Sequence, residues 1–106
     1  MERVVRELVD LLGAPVVALL AGVSETRAVQ QWMSGRQPQR PQVLRFALQL
    51  CCMIATREQN AIAQAWFQGS NPHLNDAIPV LLLRNAPLVE VQEKLIAAAR
   101  AFAARA

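Results

Sequence analysis

The sequence predicts an all-α protein. Strand signals are nearly absent, because the 106 residues contain no Tyr, little Thr and no sustained alternation of apolar and polar side chains. Apolar residues recur instead at spacings of three and four, as on the face of a helix. Hydrophobic residues make up 54% of the chain and charged residues 18%, which excludes disorder caused by low hydrophobicity and high charge. We therefore expect one small domain, or two helical halves that share a core.

The first 35 residues predict three short helices. The first has an apolar face and ends at Gly13. The second has Pro15 in its first turn and ends at Gly22. The third has Ser24 as its expected N-cap and ends at Gly35. The apolar positions of the first two helices are Val4, Leu8, Leu11, Leu12, Val16, Val17, Leu19 and Leu20.

A long fourth helix is predicted after the loop 36–41, with Pro41 at its start. Its apolar positions cover more than half of its circumference, which is typical of a central helix packed on several sides. They are Val43, Leu44, Ala47, Leu48, Leu50, Cys51 and Ile54. No second cysteine pair is present to form a disulfide framework or a zinc site, so we expect Cys51 and Cys52 to be reduced and buried.

The second half of the chain predicts three further helices. Thr56 and Gln59 match a capping box and begin a helix that ends at Gly69. A turn-rich stretch and a short helix over 79–83 follow, and the last helix runs over about 87–104. The last helix carries an apolar stripe at Leu88, Val91, Leu95, Ala98 and Phe102. This stripe packs on its own domain or, in part, binds a partner chain. Trp66, at helical spacing from Ile62, is expected in the core rather than at an interface.

The basic residues are unevenly distributed. The net charge is +3, and ten of the eleven basic residues are Arg, whose planar fork can bridge phosphate oxygens or the acceptors of a guanine edge. Four of these arginines but only one acid lie in residues 24–45, whereas residues 57–106 carry five basic and four acidic side chains. This bias favours a nucleic-acid partner for the first half, although a charged run is also typical of a solvated face.

A short helix, a glycine turn and a second helix in residues 15–35 match a helix-turn-helix. In this motif a small residue such as Ala18 permits close helix crossing, Gly22 takes the turn, and Val29 and Trp32 lock the second helix against the first. Gly22 precedes Val29 by seven residues, one more than in the common pattern. Glu25 is expected to favour the helix N-terminus. The residues predicted to contact DNA are Ser24, Thr26, Arg27, Gln30, Gln31, Arg36 and Arg40.

Enzymes, metal proteins and membrane proteins are disfavoured. His73 is the only histidine, and no catalytic triad, acid–base pair or metal-ligand set can be assembled from local motifs, so we expect no catalysis, cofactor or metal. The longest charge-free apolar stretch, 46–56, is shorter than the roughly 20 residues that span a bilayer. The N-terminal residues lack the pattern of a signal peptide. We therefore expect a cytoplasmic protein without a membrane partner.

Two stretches of the chain resemble the Xre/MbcA/ParS family of bacterial antitoxins. The first stretch, 23–38, is similar to an Xre-type helix-turn-helix that ends in a Trp-x-x-Gly segment, here Trp32 to Gly35. The second is more specific. It comprises Ala65-Trp66-Phe67, the turn Asn71-Pro72-His73-Leu74, Asp76, Pro79, the run Leu81–Leu83 and the closing helix, in the order found in the toxin-binding domain of that family.

The resemblance implies a type II antitoxin without enzymatic activity. Residues 1–55 form a DNA-binding region that binds operator DNA and represses its own operon, and residues 56–106 bind a RES-domain toxin that consumes NAD. A homodimer or a larger hetero-oligomer with the toxin is expected. In the family the C-terminal end of the antitoxin lies near the active-site entrance of the toxin. The implied toxin-binding residues are Asn71, His73, Leu74, Arg100, Phe102, Arg105 and Ala106.

Two alternatives to an antitoxin remain open. A stand-alone repressor, for example of the phage-immunity type, would use the C-terminal half to dimerise or to contact DNA. A pure protein-binding module would keep the helix-turn-helix only as a remnant, and it would show no salt-dependent binding to its own promoter.

Overall fold

The chain folds into α-helices joined by short loops. The computed structural model describes residues 1–54 and 60–105. These residues form seven α-helices and a short 3-10 helix, and they contain no β-strand. The helices are α1 (Glu2–Leu12), α2 (Ala14–Ala21), α3 (Thr26–Met33), α4 (Pro41–Ile54), α5 (Asn60–Gln68), the 3-10 helix (Pro72–Leu74), α6 (Pro79–Asn85) and α7 (Leu88–Arg105). The predicted all-α class is confirmed.

Helix α1 connects most of the other elements. It packs against α2, α3, α4 and α5, and it buries Val5, Leu8 and Leu12. The sequence placed Val4 and Leu11 in this face, but both are only half-buried. The buried face of α1 is centred nearer to Val5 than the sequence predicted, because α1 packs against α2, α3 and α4 and also against α5 of the second half. Periodicity alone does not specify that rotation.

Helix α4 runs over the predicted residues and is packed by α1, α2, α5 and α7. Phe46, which the sequence pattern did not assign to the core, is buried as well. The two cysteines differ, because successive residues on a helix point about 100° apart. Cys51 is buried and Cys52 is exposed, so the expectation that both are buried is wrong for Cys52. Both thiols are free.

Several helix ends differ from the predictions. Helix α3 begins at Thr26 with Glu25 in the N-cap position, so Ser24 is not the N-cap but lies in the turn. Helix α6 continues to Asn85, two residues beyond the predicted end. The predicted capping box at Thr56 and Gln59 lies outside the described residues.

One hydrophobic cluster extends through both halves of the chain. Helix α4 packs on α7 and α2 packs on α6, so buried residues before residue 55 contact buried residues after residue 60. Trp66 is 6% exposed, which confirms its predicted burial. Its ring packs edge to face against the ring of Phe67, with the two ring centroids 5.1 Å apart. The shared cluster fixes the position of α2 and α3 relative to α6 and α7.

Candidate nucleic-acid interface

Helix α3 is anchored by one face and exposes the other. Val29 and Trp32 are buried against α1 and α2, and Ala28 and Met33 are half-buried beside them. The opposite face of α3 and the C-cap residue that follows it carry exposed polar side chains. They are Thr26, Arg27, Gln30, Gln31 and Ser34.

The turn before α3 explains the long spacing between Gly22 and Val29. Gly22 has φ +80°, a left-handed conformation that side chains with a Cβ rarely adopt. The N–H of Val23 donates to the carbonyl of Ala18 at 3.1 Å, which closes the end of α2. The chain bends at Ser24 and is extended at Glu25 before α3 begins. The Glu25 side chain makes no capping hydrogen bond, so any stabilisation that it gives the helix N-terminus comes from its negative charge.

Two shallow depressions lie side by side on the outer surface of α3. Arg27 and Gln31 line both of them. Ser24 and Glu25 extend the first depression, and Gln30, Ser34 and Arg36 complete the second. Five of the seven residues predicted to contact DNA therefore line these depressions, and the exposed Thr26 lies between Glu25 and Arg27 in the chain. We call these six residues the α3 surface: Ser24, Thr26, Arg27, Gln30, Gln31 and Arg36.

Arg40, the seventh predicted DNA contact, is not part of the α3 surface. Its side chain is half-buried, and its guanidinium donates to three main-chain carbonyls. The acceptors are those of Leu20 at 3.2 Å, Arg84 at 3.1 Å and Leu83 at 2.8 Å. The loop composition that suggested a phosphate contact does not reveal these acceptors, because two of them lie more than 40 residues further along the chain.

Two further arginines, which the sequence did not single out, support the α2–α3 pair. Arg84 Nη1 donates to the carbonyls of Leu19 and Val23, both at 3.1 Å. Arg6 donates to the carbonyl of Met33, in the last residue of α3, at 2.9 Å. The sequence carries one signal for Arg84: it lies in the last turn of α6, where a positive charge interacts favourably with the helix dipole. Its partners, more than 60 residues earlier, are not visible in the sequence.

Asn71 organises the loop between α5 and α6. Its Oδ1 accepts from the N–H of His73 at 2.9 Å, and its N–H donates to the carbonyl of Ala77 at 3.0 Å. Its own carbonyl accepts the N–H groups of both Leu74 and Asp76 at 2.9 Å. Asn75 and Asp76 both have positive φ, a conformation that Asn and Asp tolerate better than most residues, so the turn forms without glycine.

An apolar groove adjoins this loop. It has a volume of about 420 Å³ and is lined mainly by α5 residues, by the Asn71 loop and by Phe102 of α7. The α5 side contributes Ile62, Ala65 and Trp66. A smaller hollow of about 90 Å³ continues from Phe102 to His73 and Arg105. We call these two together the C-terminal groove.

The C-terminal groove collects four of the seven residues implied by the antitoxin resemblance, namely Asn71, His73, Phe102 and Arg105. Leu74 is buried below the loop and does not line the groove. Arg100 is exposed on α7 but is not among the lining residues, and Ala106 lies outside the described residues. Trp66, which the sequence assigned to the core, is both buried and part of the groove wall.

The ionisable side chains of the described residues show one large perturbation. Burial, with a smaller contribution from the neighbouring Cys52, raises the pKa of Cys51 from 9.0 to about 12. Its thiol therefore stays protonated near neutral pH and packs as a small apolar side chain. Within residues 1–54 and 60–105, no group of three His, Cys, Asp or Glu side chains has an arrangement that could hold a metal ion.

Comparison of the chain with protein-family models, with curated proteins and with solved structures finds no match. Among the helices of the described ranges, none combines the length and the apolar character needed to cross a bilayer. The functional interpretation therefore depends on the α3 surface, on the C-terminal groove and on the sequence motifs.

Proposed function

We propose that this protein binds operator DNA through α3 and represses transcription of its own operon as a helix-turn-helix protein. The observation that carries the proposal is the α3 surface. An eight-residue helix anchored by Val29 and Trp32 exposes Arg27, Gln30 and Gln31 together. Arg pairs with the acceptors of a guanine edge, and Gln pairs with the donor and acceptor of an adenine edge, both in the major groove.

The charges around α3 support the same orientation. Arg36 lies at the end of the α3 surface, where an exposed cation is suited to a phosphate contact. Glu25 lies at the opposite end, beside the helix N-terminus. In this arrangement Arg36 supplies affinity that is independent of sequence, while Gln30 supplies discrimination between bases. Helix-turn-helix proteins usually read paired half-sites about one helical turn apart, so we expect the protein to bind DNA as a homodimer. We propose that it does so in the cytoplasm.

The test is a titration of the purified protein with the duplex upstream of its own gene and with a shuffled duplex of equal length. The wild-type protein is expected to prefer the promoter duplex, with an affinity that falls steeply as salt is raised. Arg36→Ala should weaken binding to both duplexes and flatten the slope of log affinity against log salt by about 0.9 for one lost phosphate contact. Gln30→Ala should mainly lower the preference for the promoter duplex over the shuffled duplex, by about 1–3 kcal/mol in binding free energy.

Arg100→Ala is the charge-matched control, because Arg100 is an exposed arginine on α7 rather than on the α3 surface. It should leave both affinities and the salt slope close to those of the wild type. Equal binding of the wild-type protein to the promoter and the shuffled duplex would contradict operator recognition. Equal losses on both duplexes for Gln30→Ala would contradict the assignment of α3 as the reading helix.

We further propose that the C-terminal half binds and neutralises a RES-domain toxin, so that the protein is an antitoxin rather than an enzyme. The support is the motif resemblance together with the groove, where Asn71, His73, Phe102 and Arg105 lie together. The groove, of about 420 Å³, is lined largely by apolar atoms and includes the aromatic side chains of Trp66 and Phe102, so it offers a partner an apolar contact surface.

Affinity purification of the tagged protein from its native host, followed by mass spectrometry, tests this second proposal. A stoichiometric RES-domain protein supports the antitoxin, and Phe102→Ala should reduce its recovery. Retention of promoter DNA without a protein partner favours the stand-alone repressor. Recovery of a protein partner without promoter binding favours the pure protein-binding module.

A further inference from the structure

The C-terminal end of α2 is held by side chains from distant parts of the chain. The last carbonyls of any α-helix lack partners inside the helix. Here the carbonyl of Leu19 accepts from Arg84 as well as from the N–H of Gly22, and the carbonyl of Leu20 accepts from Arg40. Both donors are guanidinium groups, and positive charge at a helix C-terminus complements the helix dipole.

Arg84 also holds the turn that leads into α3. Its Nη1 donates to the carbonyl of Val23 as well as to that of Leu19, so a single nitrogen joins the end of α2 to the turn. Val23 is the second residue of the four-residue turn 22–25. The position of this turn determines where α3 begins and how it projects from α2.

Arg40 joins the ends of α2 and α6. Its Nη1 donates to the carbonyls of Leu20 and Arg84, and its Nη2 donates to the carbonyl of Leu83. The main chain of Arg84 is therefore fixed by Arg40, while its side chain fixes the turn before α3. Gly22, whose φ of +80° favours glycine, lies beside Arg40, since a Cβ at this position would be in van der Waals contact with Cδ of Arg40 at 3.4 Å. We call Arg40, Arg84 and their carbonyl partners the arginine clasp.

We propose that Arg84 is a positioning residue for DNA recognition, acting through the turn and not through a contact with a base or a phosphate. The inference rests on the proposed operator binding. The clasp makes the orientation of α3 depend on α6, which belongs to the C-terminal half and packs on α5 and α7. Selectivity for promoter DNA then depends on a residue outside the α3 surface.

The experiment compares Arg84→Met with Arg84→Lys, using the promoter duplex and the shuffled duplex. Met keeps an unbranched chain but cannot donate, whereas the Lys ammonium can donate to both carbonyls. Arg84→Met is expected to lower the preference for the promoter duplex about tenfold, and Arg84→Lys to restore most of it. The salt slope should stay at the wild-type value in both variants, because no phosphate contact is lost.

Amide hydrogen exchange without DNA provides the second measurement. Arg84→Met should accelerate exchange at Val23 and in the first turn of α3 more than in α4 or α7. Leu95→Ala is the control for a general loss of stability, because Leu95 is fully buried in α7, eleven residues beyond Arg84, and forms none of the clasp hydrogen bonds. It should accelerate exchange more evenly and leave the preference for the promoter duplex unchanged.

The outcomes separate the inference from the proposed function. If the wild-type protein prefers the promoter duplex and Arg84→Met keeps the same preference, the positioning role is overturned. A salt slope that flattens in Arg84→Met also overturns it, because Arg84 would then contact phosphate directly. A wild-type protein that does not distinguish the two duplexes overturns operator recognition itself, and the positioning role falls with it.

Discussion

The α3 surface and the C-terminal groove are built on different physical principles. On the α3 surface, exposed polar side chains stand on a helix whose position is fixed by buried residues and by arginine–carbonyl hydrogen bonds. In the groove, the wall includes a core residue, since Trp66 is 6% exposed and also lines the cavity. The exposed polar side chains of α3 are thus distinct from the residues that hold the helix in place, whereas the groove wall includes a side chain that belongs to the core.

The largest expected effect is a loss of stability when Trp66, in the wall of the C-terminal groove, is truncated. Trp66→Ala should lower the free energy of unfolding by about 3–5 kcal/mol, because it removes a buried aromatic ring from the shared core and its edge contact with Phe67. Chemical denaturation followed by circular dichroism measures this loss. Trp66→Phe is the matched control and should keep most of the stability. Normal stability in Trp66→Ala would mean that the side chain belongs to the interface alone.

A smaller effect is expected where the turn meets α3. Gly22→Ala should lower the free energy of unfolding by about 1–2 kcal/mol, because it places a Cβ on a residue with φ +80°. Because Gly22 begins the turn that Arg84 holds at the carbonyl of Val23, promoter preference should fall together with stability. Denaturation and the duplex titration measure the two effects. Gly69→Ala provides the comparison, because it places a Cβ 3.0 Å from the carbonyl oxygen of Ala65, outside the α2–α3 turn, and should therefore lower stability but leave promoter preference intact.

The smallest of the three effects concerns the loop beside the groove. Asn71→Ala should lower the free energy of unfolding by about 1 kcal/mol, because Oδ1 no longer accepts from the N–H of His73. Asn71→Asp keeps an acceptor at this position and should retain most of the stability. DNA affinity should be unchanged in both variants. A fall in promoter affinity after Asn71→Ala would mean that the two surfaces are coupled through the core.

The helices and most of the α3 surface were predictable because they depend on local patterns. Glycine at the ends of helices, apolar spacing and the prolines at helix starts identified α1 to α4, and six of the seven predicted DNA contacts lie together. The buried position of Trp66 also followed from its spacing to Ile62. Whether the α3 surface binds DNA stays a prediction.

The features that the sequence did not predict depend on neighbouring elements. Arg40 and Arg36 occur in the same loop and look equivalent in the sequence, yet only Arg40 has carbonyl acceptors at the ends of α2 and α6 within reach. The exact face of α1 and the exposure of Cys52 depend likewise on which helices pack nearby. Arg84 was missed because hydrogen bonds from a side chain to remote carbonyls leave no periodic pattern.

The single hydrophobic cluster has a consequence for how long the protein survives in a cell. Buried residues on both sides of the chain midpoint support one another, so neither half has a separate core to retain once the other unfolds. We expect the chain to unfold in a single cooperative step. A protease that captures the unfolded form would remove the α3 surface and the C-terminal groove at once, so that binding at either surface would be lost at the same rate.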